Sequence, residues 1–259
     1  MERGNYVRIL ISNDDGIQAP GLKALAKCAK EAGHTVYVAA PNGQRSAVSH
    51  GITISGYLFA EEMPYDGAEV AWAISGTPSD CVALGLKELC KDVDVVLSGV
   101  NNGYNGGVDI LYSGTVAAAL EAAIIEKPGF AISLGPESKD FEAAARLGIE
   151  LMEKTIHLDL PKFSILNINY PDSGPARGIR AVPARLTKYY NYYVKEALPD
   201  GRIGYRLDGY MQPIDVYGED DYSWLKQGYA TVSVLSHDLS NVEETRKLMK
   251  LVNCDNFGM

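Results

Sequence analysis

Short apolar runs alternate with helical patterns along the first two thirds of the chain. Residues 6–12 are mostly apolar and β-branched, which predicts a buried strand. Between residues 22 and 29 the apolar positions recur at helical spacing, and Gly33 ends that pattern before a second predicted strand at 35–40. A strand, a helix and another strand in succession are expected to form a right-handed unit with parallel strands.

The same alternation continues to residue 168. Further strands are predicted at 69–74, 93–98, 129–134 and 163–168, with helices at 79–90, 115–126 and 138–155 between them. This succession predicts an α/β fold with a doubly wound, mostly parallel sheet. Ligands of such sheets bind outside the carboxyl ends of the strands, so the loops at those ends are the place to look for chemistry.

Beyond Pro171 the pattern changes to short alternating runs among charges and glycines, which predicts hairpins or an extended arm. A strand at 229–235 and a terminal helix at 240–252 follow. The arm, residues 189–229, is rich in tyrosine: Tyr189, Tyr190, Tyr192, Tyr193, Tyr205, Tyr210, Tyr217, Tyr222 and Tyr229. Such side chains fill a subunit interface or stack on a substrate ring, and both alternatives stay open. We expect one structural domain, with a catalytic core at 1–171 and an oligomerisation segment at 172–259.

Composition narrows the class of protein. With 259 residues, 46% of them hydrophobic, the chain can bury a large core. Its formal charge of −9 argues against duplex nucleic acid and anionic membranes as partners. No apolar run approaches the roughly 18 residues of a membrane span, and residues 1–5 lack a signal-peptide core, so a cytoplasmic location is expected. The cysteines (Cys28, Cys81, Cys90 and Cys254) and the histidines show no metal-binding spacing, which disfavours zinc.

Two adjacent acids, Asp14 and Asp15, follow the first predicted strand. Asn13 and Gly16 are turn formers, so the backbone can bend there and bring both carboxylates to one point. Carboxylates held close together repel each other, and a hard cation such as Mg²⁺ or Mn²⁺ relieves that repulsion. The alternative is that these residues only shape the turn and cap the next helix.

Other loops at the same predicted edge carry polar groups. Arg45 and Ser46 follow the second strand, and Asn101, Asn105 and Asp109 lie in a glycine-rich loop after the strand at 93–98. If these strands are neighbours of the first, their loops open beside the acid pair. Next comes a helix start with Ser113, Gly114 and Thr115, whose free N–H groups and hydroxyls would seat a phosphate. Plain turn formation and N-capping are the alternatives for these residues.

Five ordered motifs make a more specific resemblance. They are Asn13-Asp14-Asp15-Gly16-Ile17, Arg45-Ser46, Ser75-Gly76-Thr77-Pro78-Ser79-Asp80-Cys81, Ser98-Gly99-Val100-Asn101, and Asp109 with Tyr112-Ser113-Gly114-Thr115-Val116. In order and spacing the chain resembles the SurE family of survival-protein nucleotidases over residues 7 to 170, and more loosely beyond. The resemblance implies a Rossmann-like core and a metal-dependent phosphatase acting on nucleoside 5′- and 3′-monophosphates. It also implies a homodimer or homotetramer with an exchanged C-terminal element.

Carried over by residue, the family's metal ligands fall on Asp14, Asp15, Ser46 and Asn101, implying one divalent ion, Mg²⁺ or Mn²⁺, per subunit. The ion would activate a water, and either aspartate would serve as its base. The residues expected to bind phosphate or substrate are Asn13, Asn105, Ser113, Gly114 and Thr115.

Three other classes of protein were weighed. A phospho-accepting receiver module would also carry acids after its first strand, but this chain is about twice too long. A haloacid-dehalogenase-type phosphatase uses Asp-x-Asp, and a dehydrogenase needs G-x-G-x-x-G at the first strand's end. The chain has neither motif at that point. A receiver-like module therefore remains the alternative to a nucleotidase.

Overall fold

A nine-stranded sheet runs through this computed structural model, which describes residues 6–185, 187–213 and 219–252. Residues 1–5, Tyr217 and Cys254, which entered the predictions above, lie outside the described residues. The strands of the sheet are β1 (Arg8–Ser12), β2 (Thr35–Pro41), β3 (Ala60–Met63), β4 (Val70–Ile74), β5 (Val95–Asn102), β6 (Gly129–Leu134), β7 (Ser164–Tyr170), β8 (Ile179–Ala181) and β11 (Ala230–Ser236). Their order across the sheet is β3-β4-β2-β1-β5-β6-β7-β11-β8.

Strand β1 lies between β2 and β5 and is parallel to both, with Ile11 opposite Val38 on one side and Leu97 on the other. The loops that follow these three strands therefore open at one edge, as the sequence predicted. Because β1 is central and covered on both faces, Ile9, Leu10 and Ile11 are fully buried. The predicted doubly wound α/β fold is confirmed.

Helices cover both faces of the sheet. They are α1 (Pro20–Glu31), α2 (Pro78–Leu84) with a π-helical turn at Gly85–Leu89, α3 (Asp109–Tyr112), α4 (Gly114–Ile124), α5 (Phe141–Thr155), α6 (Asp221–Leu225) and α7 (Val242–Val252). Buried residues of α1 and α5 share one hydrophobic cluster with β1 and β6, while α2 and α4 contribute to a second cluster on the opposite face. None of the helices in the described part of the chain combines the length and hydrophobicity that a membrane crossing requires.

The predicted hairpin forms from β9 (Thr187–Ala197) and β10 (Ile203–Pro213), which pair with each other and not with the main sheet. Tyr190 stacks on Tyr210 across the two strands with ring centroids 5.4 Å apart. After the hairpin, α6 returns to the sheet, where the Trp224 ring lies over the Arg180 guanidinium of β8. No residue of α7 is buried against the rest of the described chain.

Three features differ from the sequence prediction. Strand β5 continues to Asn102, past the predicted end at Ser98, because a bulge between Ser98 and Asn101 lets the strand resume beside β6. Strand β3 was not predicted, since its Ala-Glu-Glu-Met sequence is exposed at the sheet edge and carries no apolar alternation. The helix predicted to Cys90 is α-helical only to Leu84 and continues as the π-helical turn, whereas the antiparallel pairing of β11 with β7 fits the predicted mostly parallel sheet.

Candidate functional site

The turn after β1 is shaped by Asn13. Its side-chain Oδ1 accepts from the Gly16 amide and its Nδ2 donates to the Gly16 carbonyl, at 3.2 and 3.0 Å. Gly16 adopts a φ of +97° and lies against the backbone of Gly43, where a Cβ would come within 3.0 Å, so glycine is needed on both counts. The predicted bend is therefore present, and both polar atoms of the Asn13 side chain form hydrogen bonds that stabilise it.

Asp14 is 5% exposed and lies against the start of α4. Its Oδ1 accepts from Thr115 Oγ1 at 2.6 Å. Gly114 makes this approach possible, because a Cβ there would lie 2.7 Å from Asp14 Cβ. Burial raises the pKa of Asp14, the Thr115 bond lowers it, and the charge of Asp15 raises it further. A nearby cation would favour the charged form.

Asp15 lies on the other side of the turn, next to the end of β5. Partial burial raises the pKa of Asp15, and the nearby backbone amide of Asn102 acts in the opposite direction. Asn101 precedes that amide, and its Nδ2 donates to the Gly103 carbonyl at 2.9 Å. Since the amide nitrogen is bonded within the loop, Oδ1 is the atom of Asn101 that suits a cation.

Ser46 is exposed in the loop after β2. The preceding residue, Arg45, donates its backbone amide to the Asp14 carbonyl at 2.7 Å, which joins this loop to the turn after β1. Gln44 Nε2 donates to Ser46 Oγ at 2.9 Å. The amide of Arg45, next to Ser46, is bonded to the Asp14 carbonyl, and the amide of Asn102, next to Asn101, lowers the pKa of Asp15. Backbone segments far apart in sequence therefore adjoin the acid pair.

Two of the three residues predicted to bind phosphate at the start of α4 already have hydrogen-bond partners within the protein. Ser113 Oγ accepts from the Val116 amide at 3.1 Å and so caps α4, which is the alternative considered from the sequence. Thr115 is fully buried and its hydroxyl is bonded to Asp14. The amides of Gly114 and Thr115 both lie in the first turn of α4, where no intrahelical bond can satisfy them. We take the Gly114 amide as the candidate for a phosphate contact because the Thr115 side chain is already bonded to Asp14.

Asn105 and Asp109 stabilise the loop after β5. Asn105 Nδ2 donates to Ser133 Oγ at 2.8 Å, and its backbone carbonyl accepts from Asn167 and Asn169. Its amide has a second hydrogen, so a phosphate contact stays a prediction. Asp109 Oδ2 accepts from the hydroxyls of Tyr189 and Tyr222, which ties the base of the hairpin to the segment just before α4.

The Ser75–Cys81 motif supports the site indirectly. Thr77 and Asp80 form a capping box at the start of α2. Thr77 Oγ1 also donates to the Gly51 carbonyl at 2.7 Å, and Asp80 accepts from the amide and hydroxyl of Thr53. These bonds hold the far end of the loop that carries Ser46. Contacts of Ser49 and His50 with the α3–α4 region were not foreseen, because neither residue stands out in the sequence.

The donor set at this edge fits a hard divalent cation. Asp14 and Asp15 offer carboxylate oxygens, Asn101 an amide oxygen and Ser46 a hydroxyl, the ligand types of Mg²⁺ and Mn²⁺. No group of three or more His, Cys, Asp or Glu side chains in the described ranges is placed to hold a metal, so this candidate site depends on neutral oxygens beside its two carboxylates. Burial and mutual repulsion both disfavour the charged forms of the two carboxylates, and a bound cation would offset both effects.

The fold and this edge define an α/β protein with an acid pair at the carboxyl ends of its central parallel strands. Comparison with known proteins gives the family. The model of the family described as survival protein SurE matches residues 9–193, so the chain belongs to the SurE family.

Its relatives match along nearly their whole length. The protein named 5′-nucleotidase SurE from Pelotomaculum thermopropionicum is 40% identical over 250 residues, covering 95% of each chain. The protein of the same name from Caldanaerobacter subterraneus is 40% identical, covering 93% of this chain and 95% of its own. The crystal structure of the SurE protein from Aquifex aeolicus superposes with a TM-score of 0.79 at 31% identity, covering 94% of this chain and 99% of that one.

Proposed function

We propose that this chain is a divalent-metal-dependent phosphomonoesterase that hydrolyses nucleoside 5′- and 3′-monophosphates to nucleoside and phosphate. The observation that carries the proposal is the backbone bond from Arg45, next to Ser46, to the Asp14 carbonyl; the effect of the Asn102 amide on the pKa of Asp15 supports it from the Asn101 side. The relatives named 5′-nucleotidase SurE support the same activity. The family match offers no support for the receiver-like alternative, which lacks turnover.

Asp14, Asp15, Ser46 and Asn101 would hold one Mg²⁺ or Mn²⁺ ion per subunit. When bound, such an ion neutralises phosphate charge and lowers the pKa of a coordinated water. Asp15 is less buried than Asp14 and has no bond from Thr115, so it is the better placed of the two to take the proton of the attacking water. Thr115 keeps the Asp14 carboxylate turned toward the site.

The substrate phosphate would lie beside the acid pair, next to the start of α4. The Gly114 amide points out of the helix start, and the helix dipole adds positive potential there. Asn13 shapes the turn and Ser113 caps the helix, so both would act by fixing the backbone around the bound phosphate. Asn105 would add an amide donor from the loop after β5.

The test is phosphate release from a panel of nucleoside 5′- and 3′-monophosphates with Mg²⁺, Mn²⁺ or chelator. We expect turnover with metal and none with chelator. Asp14→Asn should lower kcat by on the order of 10²-fold to 10³-fold, the usual cost of removing electrostatic stabilisation at a reacting phosphate. Asp159→Asn, an exposed aspartate in the loop before β7, is the matched control and should be unaffected. Near-normal rates for Asp14→Asn at moderate metal concentration would contradict the proposal.

We further propose that the segment 172–259 mediates a homodimer or homotetramer in the cytoplasm, with exchange of the C-terminal element. The exposed tyrosines of the hairpin and the unburied helix α7 support this assignment. Tyr189 and Met211 are paired in register, so residues 190–210 can be replaced by an Asn-Gly turn that keeps the hairpin base. Light scattering should then give a smaller assembly. An unchanged mass with intact folding would contradict this role.

A further inference from the structure

The loop from Asn42 to His50 is held in a conformation that its own sequence does not favour. Ala47 and Ser49 both have a φ of +55°, in the left-handed region. For residues other than glycine this conformation costs on the order of 1 kcal/mol or more, and it persists only where surrounding contacts hold it. Ser46, a predicted metal ligand, lies directly before the first of these two residues. Its position therefore depends on the contacts that hold the loop.

Those contacts come from α3 and α4. The Ser49 amide donates to the Tyr112 carbonyl at 3.0 Å, and Ser49 Oγ donates to the Leu111 carbonyl at 2.7 Å. Next in sequence, His50 Nε2 lies 2.9 Å from Glu121 Oε2. The Glu121 side chain is only 13% exposed, on the third turn of α4. We call these contacts, from Ser49 and His50 to Leu111, Tyr112 and Glu121, the latch.

Through the latch, α4 contacts the segments that carry two predicted metal ligands, Asp14 and Ser46. At its start, α4 holds the Asp14 carboxylate through Thr115. One to two turns further along, Glu121 holds His50 and thereby the end of the Ser46 loop. On its other side Ser46 is fixed by the Arg45 amide bonded to the Asp14 carbonyl. The segment that carries Ser46 is thus anchored at both ends, once to the acid turn and once to α4.

We propose that His50 and Glu121 are positioning residues for the cation site, which fix Ser46 relative to Asp14 through α4. Neither side chain touches substrate or cation in this proposal. It rests on the proposed function, because it presumes that Ser46 is a metal ligand. A purely structural pair would stabilise the fold without changing the affinity for the cation.

The experiment measures Mn²⁺ binding by electron paramagnetic resonance of the free ion, in the absence of substrate. We expect His50→Ala and Glu121→Ala each to raise the Mn²⁺ dissociation constant about 10-fold, as loss of a partner that orients a ligand does. His50→Gln keeps an N–H donor near the Nε2 position and should stay close to wild type. The double variant should be no weaker than either single one, because the two side chains act as a pair.

The chain offers a matched control. Glu153 accepts from His34 Nε2 at 3.1 Å, another carboxylate and imidazole pair, located between α5 and the start of β2. Glu153→Ala should leave Mn²⁺ affinity unchanged. An equal loss for Glu153→Ala would mean that general destabilisation is being measured, and it would overturn the proposal. Independent, additive losses for His50→Ala and Glu121→Ala would overturn it as well.

Hydrogen exchange on the metal-free protein separates this proposal from the proposed function. In Glu121→Ala the amides of Arg45 and Ser49 should exchange faster than in wild type, whereas Glu153→Ala should show no change. Unchanged exchange and unchanged Mn²⁺ affinity in Glu121→Ala would overturn the latch while leaving the nucleotidase proposal intact. A wild-type protein that binds no Mn²⁺ would instead overturn the proposed function, and the positioning role with it.

Discussion

The acid-pair edge of the sheet and the C-terminal hairpin are built in opposite ways. At the edge, polar side chains such as Asp14 and Thr115 are buried and bonded to one another. Along the hairpin, apolar side chains face outward: Tyr193 is 68% exposed and Tyr205 is 66% exposed. Exposed apolar surface of this extent marks a contact with something else, whereas buried polar groups with partners mark a finished site. We therefore propose that the first region is assembled within one subunit and that the second packs against another copy of the chain.

Replacing an isoleucine by alanine in each region would test this contrast most strongly. Ile11 is fully buried in β1, whereas Ile203 is 55% exposed at the start of β10. We expect Ile11→Ala to lower the free energy of unfolding by about 2–5 kcal/mol, because it removes buried apolar surface and leaves a cavity. Ile203→Ala should cost less than about 0.5 kcal/mol in a dilute, dissociated sample. Denaturant titration of both variants measures the difference, and equal losses would show that the hairpin packs within its own subunit.

A buried aspartate where the arm returns to the sheet should make stability depend on pH. Asp221 is fully buried, its Oδ1 accepts from the amides of Arg185 and Tyr222, and its Oδ2 has no partner among the described residues. Burial raises the pKa of Asp221 from 3.8 to about 6. The folded state thus holds this proton more tightly than the unfolded state does. Its contribution to the free energy of unfolding must fall as the pH rises from about 4 through 6.

Asp221→Asn removes that titration and keeps an acceptor at Oδ1. Relative to this variant, the wild type should lose on the order of 3 kcal/mol of stability between pH 4 and pH 7. Urea titrations of both proteins at several pH values provide the measurement. A constant difference between them across this range would show that the folded protein does not raise the pKa of this carboxyl.

The smallest expected effect concerns the link between the two regions. Tyr189 donates its hydroxyl to Asp109 Oδ2 at 2.9 Å, and Asp109 opens the short helix before α4. Tyr189→Phe should cost about 1 kcal/mol, the usual net value of one hydrogen bond. Tyr192→Phe, which changes an exposed side chain on the same strand, is the control and should be neutral. If both substitutions are neutral, the hairpin base is not held by this bond.

Sequence reasoning recovered the sheet because local patterns determine it. Buried strands such as β1 and β5 are short apolar runs, and the chirality of their connections places them side by side. The strand order places the loops that carry Asp14, Asp15, Ser46 and Asn101 at one edge, as expected, while the binding of one cation by these four side chains stays a prediction. The bulge that lets β5 continue to Asn102 was missed, because Gly99, Asn101 and Asn102 are residue types typical of loops.

The division of work at the helix start could not be predicted. The bond from Thr115 to Asp14 joins residues 101 positions apart, and no local pattern encodes such a pairing. Ser113 and Thr115 fit a phosphate seat and a cap equally well until the neighbouring side chains are known. The contact between His50 and Glu121 could not be predicted for the same reason, since 71 positions separate the two residues.

The two tryptophans of the chain occupy opposite ends of the nine-stranded sheet. Trp72 belongs to β4, next to one outermost strand, while Trp224 lies over Arg180 of the other outermost strand. The fluorescence of each tryptophan is therefore sensitive to unfolding at its own edge of the sheet. Emission from variants retaining one indole at a time would reveal whether the two flanks melt together or whether one frays first.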